Sequence, residues 1–289
     1  MSPRIFILLT LLFGSQFLIA QQLSLPAKSP AATASRTLGY ANIEVSYSSP
    51  AVRGREIWGN VVPYDTLWRA GANKATRLCF SEKVEVEGKA VAAGCYALFF
   101  LPRETGEWEA VLNVDTSLWG TNGYDPAKDV LRVPVEAKFA RTASEEFLKY
   151  EIVPQNIENA YLMLSWEKLR VYLRLRTKTM EQAVKQIQQA VAVTPDDKKW
   201  KVYLESADFL LWVDKPGPAL QYAQQSLEAK PTPPAHWIAA QAHAAMGEEP
   251  KAVEAAKRAK MLSATKEKGQ GYYGRHRAEI EQRMSQWEE

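Results

Sequence analysis

The sequence predicts an α+β protein with segregated domains: an antiparallel β-sandwich or barrel-like domain over residues 34–176, then an all-α domain over residues 178–289. Two observations predict this division. Short apolar runs with a period of two alternate with turn residues through the first domain, which is typical of antiparallel sheets. Near Thr177 the apolar spacing becomes helical and remains so.

Composition and charge are those of a globular protein without a nucleic-acid partner. The chain of 289 residues is long enough for two domains with cores of their own. Hydrophobic residues make up 46% and charged residues 24%, as in soluble globular proteins. The formal net charge is only +3, so we expect no nucleic-acid partner.

Residues 1–20 have the pattern of a secretory signal peptide. Arg4 is the only charge, residues 5–13 form an apolar run, and Ala20 is a small residue ahead of the expected cleavage site. A membrane anchor is the alternative, but the run is shorter than the ~20 residues of a spanning helix. We therefore predict a secreted or periplasmic protein with no membrane span after signal cleavage.

The predicted elements of the first domain follow an export linker. Residues 21–33 are rich in Ser, Pro and Ala and are assigned to this linker. The predicted strands are 43–47, 77–80, 84–87, 95–101, 108–114, 130–135, 147–153, 160–166 and 170–175. We expect the second and third of these to pair, and Gly88 to form a hairpin turn.

Cys79 and Cys95 are the two cysteines of the chain. In an oxidising compartment a bridge between them would close a loop of about fifteen residues and contribute roughly 3 kcal/mol. The alternative is two buried thiols within strands, where cysteine packs as a small apolar residue. The residues leave both alternatives open. A redox-active pair is disfavoured because no Cys-x-x-Cys motif occurs.

The helical domain contains an internal repeat. Apolar or small residues and a proline recur at offsets of zero, four, seven and twelve, at Ala183, Ile187, Ala190 and Pro195 and again at Ala219, Ala223, Ser226 and Pro231. A third set, Ala252, Ala256 and Ala259, follows 33 residues after the second. Small side chains at this spacing allow two helices to approach closely.

This pattern resembles the tetratricopeptide repeat. The resemblance implies one and a half to two degenerate repeats, a capping helix over residues 272–287, and a protein or peptide partner bound by the helical tail. The chain departs from the repeat at His236, where a first-helix aromatic is expected, and the second unit lacks its closing proline. An ordinary helical bundle is the alternative to the repeat. Two repeats form only a shallow groove, so docking of the tail onto the β-domain is an equally supported alternative to a partner.

The stretch 47–76 is the best candidate for a binding site, because aromatic, basic and glycine residues crowd together in it. The candidate ligand-binding residues are Arg53, Arg55, Tyr64, Trp68, Arg69 and Asn73. Aromatic rings stack on flat ligand faces, and guanidinium and amide groups bind anions or hydroxyls, so we predict a small anionic or saccharide ligand. Alternatively, the aromatics belong to the core, the glycines serve turns, and the arginines bridge loops to buried carbonyls or carboxylates.

A set of short motifs carries a second resemblance. They are SPAA at 29–32, YSSP at 47–50, RGREIWG at 53–59, VPY at 62–64, WRAGAN at 68–73, GK at 88–89, AGCY at 93–96, WG at 119–120 and WE at 166–167. In order and spacing they are similar to the secreted domain-of-unknown-function 2911 (DUF2911) family over residues 29–175. That resemblance implies an exported β-rich domain, often with a helical repeat tail, and no established activity. It does not support a bridge, because threonine or serine is expected at Cys95.

The chemistry open to the β-domain is limited by its composition. All three histidines, His236, His243 and His276, lie in the helical tail, so a Ser-His-Asp or histidine-rich zinc site in the β-domain is excluded. A cluster at Asp115, Asn122, Asp125 and Asp129 fits a calcium loop or, preferably, turns capped by their side chains. We predict no metal and no cofactor.

The sequence thus predicts an exported binding or scaffolding protein of the cell envelope rather than an enzyme. Two other functions remain open. One is a histidine-independent hydrolase that uses carboxylates, which are plentiful but cannot be paired from sequence. The other is a protein-interaction scaffold that acts through the helical tail.

Overall fold

The computed structural model describes residues 25–141, 143–266 and 272–288. The predicted signal peptide and the start of the predicted linker lie outside this part of the chain. Within it, no helix combines the length and the apolar character needed to cross a bilayer.

Eleven strands form one antiparallel sheet in the described residues. They are β1 (Ala31–Leu38), β2 (Ala41–Ser48), β3 (Thr76–Phe80), β4 (Val84–Val86), β5 (Lys89–Val91), β6 (Gly94–Leu101), β7 (Trp108–Asn113), β8 (Asp129–Phe139), β9 (Glu145–Pro154), β10 (Asn159–Glu167) and β11 (Leu169–Arg176). The order across the sheet is β1-β2-β3-β6-β7-β8-β11-β10-β9. Off this path, β4 pairs with both β11 and β5.

The sheet curls into a nearly closed barrel. The last strand, β9, returns to the segment that follows β2, where the Leu148 backbone N–H donates to the Pro50 carbonyl oxygen at 2.9 Å. Beside it, the Tyr150 N–H donates to the Tyr47 hydroxyl at 3.2 Å. The barrel-like form of the predicted fold is therefore confirmed.

Four tryptophans and Phe100 fill part of the barrel interior. The Trp58 ring lies 5.7 Å from Trp68, 5.3 Å from Trp108 and 5.7 Å from Trp166, each in an edge-to-face arrangement. Trp68 also stacks on Trp166 at 6.1 Å. Since all four belong to the main hydrophobic core, the segment between β2 and β3 contributes to the barrel interior rather than forming a surface loop.

Two expectations about the strands are wrong. Strand β1 was not predicted, and its first residues fall in the predicted linker. The predicted pairing of 77–80 with 84–87 does not occur, because β3 pairs with β2 and β6 while β4 pairs with β5 and β11. The predicted turn at Gly88 explains the second difference: Glu87 and Gly88 both have positive φ, as a tight hairpin requires, and they connect β4 to β5.

Cys79 and Cys95 form a disulfide bond. They lie directly opposite each other in the register of β3 and β6, with their Cα atoms 4.0 Å apart. This resolves the two alternatives that the sequence left open. A disulfide is consistent with the predicted export, since such bonds persist in oxidising compartments.

The C-terminal region is helical, as predicted. Its helices in the described residues are α1 (Thr179–Val193), α2 (Lys199–Trp212), α3 (Pro216–Ala229), α4 (Pro233–Ala245), α5 (Glu249–Lys266) and α6 (Tyr272–Trp287). Fully buried alanines lie where α2 meets α3 and where α4 meets α5, including Ala207, Ala223, Ala240 and Ala256. Without a long side chain between them, the paired helices pack closely.

The first turn of α1 is attached to the end of the barrel. Gly39, in the turn between β1 and β2, has φ +58°, and a Cβ there would lie 1.7 Å from the Thr179 hydroxyl oxygen. The Met180 backbone N–H donates to the Glu158 carboxylate at 2.8 Å, which satisfies one of the free donors at the helix start. Any side chain at position 39 would therefore push the helix away.

Candidate functional site

Arg53 and Arg55 bond to backbone carbonyls in the structure. The Arg53 guanidinium donates to the Lys28 carbonyl oxygen at 3.1 Å. The Arg55 guanidinium donates to the carbonyl oxygens of Val52 at 3.1 Å and Ala51 at 2.6 Å. These contacts match the alternative in which the arginines of this stretch hold loops together.

Trp68 is a core residue, with 8% of its surface exposed. Its indole N–H donates to the Gly71 carbonyl oxygen at 3.2 Å, and its backbone pairs with Phe100 of β6. Stacking on a ligand would require the ring to leave the barrel. Tyr64 is half-buried and lies over Gly59, where a Cβ would come within 3.0 Å of the tyrosine ring.

Arg69 differs from the other two candidate arginines. It is half-buried, and no described residue provides an acceptor for its buried Nε–H or a carboxylate for its guanidinium. Burial alone lowers the pKa of this group below its ordinary value. A half-buried guanidinium without a partner lowers the stability of the fold, because a buried donor that lacks an acceptor costs about 1–3 kcal/mol of folding free energy.

The loop between β7 and β8 brings further residues to Arg69. Gly120 has φ +70°, and a Cβ at this position would lie 3.3 Å from Nη1 of Arg69. Its backbone N–H donates to the Asn73 carbonyl oxygen at 3.0 Å, while Lys74 pairs with Trp119. Trp119 is 60% exposed. We call these five residues the Arg69–Trp119 face.

The structure thus brings together two of the six predicted site residues, Arg69 and Asn73. The Asn73 side-chain amide donates to the hydroxyl of Ser48, the last residue of β2, at 3.2 Å. Asn73 therefore also holds the end of this strand. Sequence reasoning missed Trp119 and Gly120 as site residues. The signal for them was present, because this dipeptide is one of the motifs that carry the family resemblance.

The comparisons with known proteins assign the domain that bears this face. The family described as "Protein of unknown function (DUF2911)" matches residues 29–175, just over half of the chain. The chain belongs to the DUF2911 family. No curated protein and no solved structure gives a significant match. The matched residues begin just before β1 and end within β11, so the DUF2911 domain coincides with the barrel.

Side-chain bonds shape the acidic loop of the DUF2911 domain. Asp115 accepts from the Ser117 N–H at 3.1 Å and from the Ser117 hydroxyl at 2.6 Å, and these bonds, with Lys128, lower its pKa to about 2. Asp125 accepts from the Ala127 N–H at 2.9 Å. This geometry is that of side-chain-capped turns, and no cluster of three metal-ligating side chains occurs among the described residues.

Tyr124 anchors the same loop to the barrel. Its hydroxyl donates to the Asp129 carboxylate at 2.6 Å and accepts from the Arg132 guanidinium at 3.0 Å. Burial and the hydrogen bond to Asp129 raise the pKa of Tyr124 to about 12. These bonds fix the loop that carries Trp119 to β8.

Proposed function

We propose that this protein is an exported binding protein of the cell envelope whose DUF2911 domain takes an anionic saccharide at the Arg69–Trp119 face. One observation carries the proposal: the Arg69 guanidinium is half-buried with no carboxylate beside it in the described residues, and its buried Nε–H has no acceptor. A carboxylate or sulfate group on a ligand would supply the missing acceptors and charge.

Each residue of the face has a role in this proposal. A side chain at Gly120 would crowd Nη1 of Arg69, since its Cβ alone would lie 3.3 Å away. Lys74 is exposed and supplies a second positive charge. Trp119 precedes Gly120 in the chain and is exposed, so a sugar ring can stack on it.

Replacing Arg69 with glutamine tests this site. We expect binding of tetragalacturonate to weaken by at least about tenfold, because a charge-assisted hydrogen bond contributes about 1.5–3 kcal/mol. Trp119→Ala should also weaken binding. Calorimetric titration of the full chain measures the affinity, and thermal unfolding checks that each variant is folded.

Arg53→Gln is the matched control, since Arg53 is an exposed arginine of the same domain that is held by a carbonyl. It should bind tetragalacturonate as the unmodified protein does. The proposal fails if the unmodified protein does not bind this probe, or if Arg69→Gln and Arg53→Gln bind it equally well.

A second candidate function concerns the helical region. We propose that α2–α5 are two degenerate tetratricopeptide repeats, and that the helical tail binds a peptide with apolar side chains where α2 meets the barrel end. The buried alanines between paired helices support the repeat. A cavity of about 610 Å³ between the barrel end and α2 supports the partner, because Tyr40, Phe209 and the 70% exposed Trp212 line it.

Substituting Trp212 with aspartate tests this second function in the full chain. This substitution removes aromatic surface from the cavity and introduces an unpaired carboxylate. It should therefore abolish recovery of protein partners from an envelope extract. Val193→Asp is the control, since Val193 is also exposed and lies outside the cavity lining. Equal recovery by both variants and the unmodified protein contradicts the proposal.

A further inference from the structure

A groove lies on the outside of the barrel where two strands diverge from β11. Strand β8 pairs with β11 from Leu169 to Tyr172, whereas β4 pairs with it at Leu175 and Arg176. Between these two pairings a gap opens beside β11. On one side of the gap β8 pairs with β7, and on the other side lies the β4–β5 hairpin. The result is a cavity of about 610 Å³, which we call the fork groove.

A second cavity of about 620 Å³ adjoins the fork groove. Glu87, Tyr161 and Arg174 line both cavities. The second cavity extends to Asn156, in the turn between β9 and β10, and to Arg176. Because the two cavities are neighbours, a chain-like ligand of several units would contact both.

Two tyrosines form the aromatic part of the fork groove. Tyr161 and Tyr172 are half-buried and meet edge to face, with ring centroids 5.8 Å apart and an interplanar angle of 80°. Perpendicular rings offer faces in two directions, unlike a stacked pair. Tyrosine combines an apolar ring with a hydroxyl, and it loses little conformational entropy on binding.

The charged residues of the fork groove are mixed in sign. Glu87 accepts from the Arg174 backbone N–H at 2.6 Å and from its Nε–H at 2.7 Å, which fixes the guanidinium over the groove. Lys89 adds a second cation, and Glu107 and Glu136 add acids. A strongly anionic or cationic ligand would meet like charges here. Sugar hydroxyls both donate and accept, so they match such a lining.

We infer that the fork groove binds an uncharged oligosaccharide, with Tyr161 and Tyr172 against sugar faces and the charged side chains bonded to hydroxyls. Its lining shares no residue with the Arg69–Trp119 face, so it is a separate site from the one proposed above. Glu87 and Glu136 are both held in ion pairs, with Arg174 and Lys138. We therefore assign these two carboxylates to recognition of sugar hydroxyls. The carboxylate-based hydrolase stays a prediction from sequence.

Calorimetric titration of the full chain with maltotetraose, cellotetraose and chitotetraose tests this site. We expect at least one of these probes to bind, and Tyr172→Ala to weaken that binding by about tenfold while Tyr172→Phe retains most of it. Arg69→Gln should leave the affinity unchanged, which separates this site from the proposed anionic one. Thermal unfolding confirms that each variant is folded.

Phe147→Ala is the matched control, because Phe147 is an exposed aromatic residue of the barrel outside the groove lining. The inference is overturned if none of the three probes binds to the unmodified protein. Equal affinities of Tyr172→Ala and Phe147→Ala overturn it as well. Competition of the bound sugar by an uncharged extended peptide of equal or higher affinity would assign the groove to peptides instead.

Discussion

Replacing Trp166 with alanine should lower the free energy of unfolding by about 3–5 kcal/mol, the range for large aromatic residues in cores. Trp166 is 1% exposed and contacts both Trp58 and Trp68, so its removal leaves a void between two rigid rings. Its indole N–H has no hydrogen-bond partner among the described residues. The loss therefore reflects packing alone. Urea denaturation followed by far-ultraviolet circular dichroism measures it.

Trp119→Ala is the control for this prediction, because it removes the same side chain from an exposed position of the same domain. Its free energy of unfolding should stay within about 0.5 kcal/mol of the unmodified protein. If the two alanine variants lose similar free energies, the tryptophan cluster is not the centre of the core.

Removing the disulfide by the double substitution Cys79→Ser and Cys95→Ser should lower the free energy of unfolding by about 3 kcal/mol. The two cysteines are 16 residues apart in the chain, and their bond restricts the unfolded state over that loop. In the folded protein they lie opposite each other in paired strands, so the ladder of β3 and β6 remains without the bond. Chemical denaturation of the double variant measures the loss.

A reductant provides the control for the disulfide prediction. It should destabilise the unmodified protein by a similar amount and leave the double variant unchanged, since that variant has no cysteine. Titration of thiols in the denatured, unreduced protein is an independent measurement. Finding two reactive thiols there would show that the bond does not form.

Most strands could be predicted from sequence because alternation reports which face of a strand is buried. Strand β10, for example, alternates buried and half-buried residues over Ala160–Leu164 and was assigned nearly to its bounds. Strand β1 could not be predicted because seven of its eight residues are exposed or half-buried, so its sequence shows no alternation of apolar and polar residues. Its strand form depends on pairing with β2 along its whole length. Such tertiary pairing overrides local propensity.

The candidate site shows what sequence pattern alone cannot decide. Trp68 and Arg69 are neighbours in an extended segment, so their side chains point to opposite sides. Nothing local indicates that the tryptophan side is the barrel interior. The surroundings of Arg69 depend on Gly120, which is 51 positions away in the chain and approaches only through the fold of a loop.

The indole-filled interior separates the residues that stabilise the fold from the two sites proposed above. Many β-barrels keep their cargo inside, where every lining residue serves both stability and specificity. In this chain Trp58 and Trp166 occupy that space, and both proposed saccharide sites lie on outward-facing side chains. Substitutions at outward-facing positions should therefore cost little folding free energy.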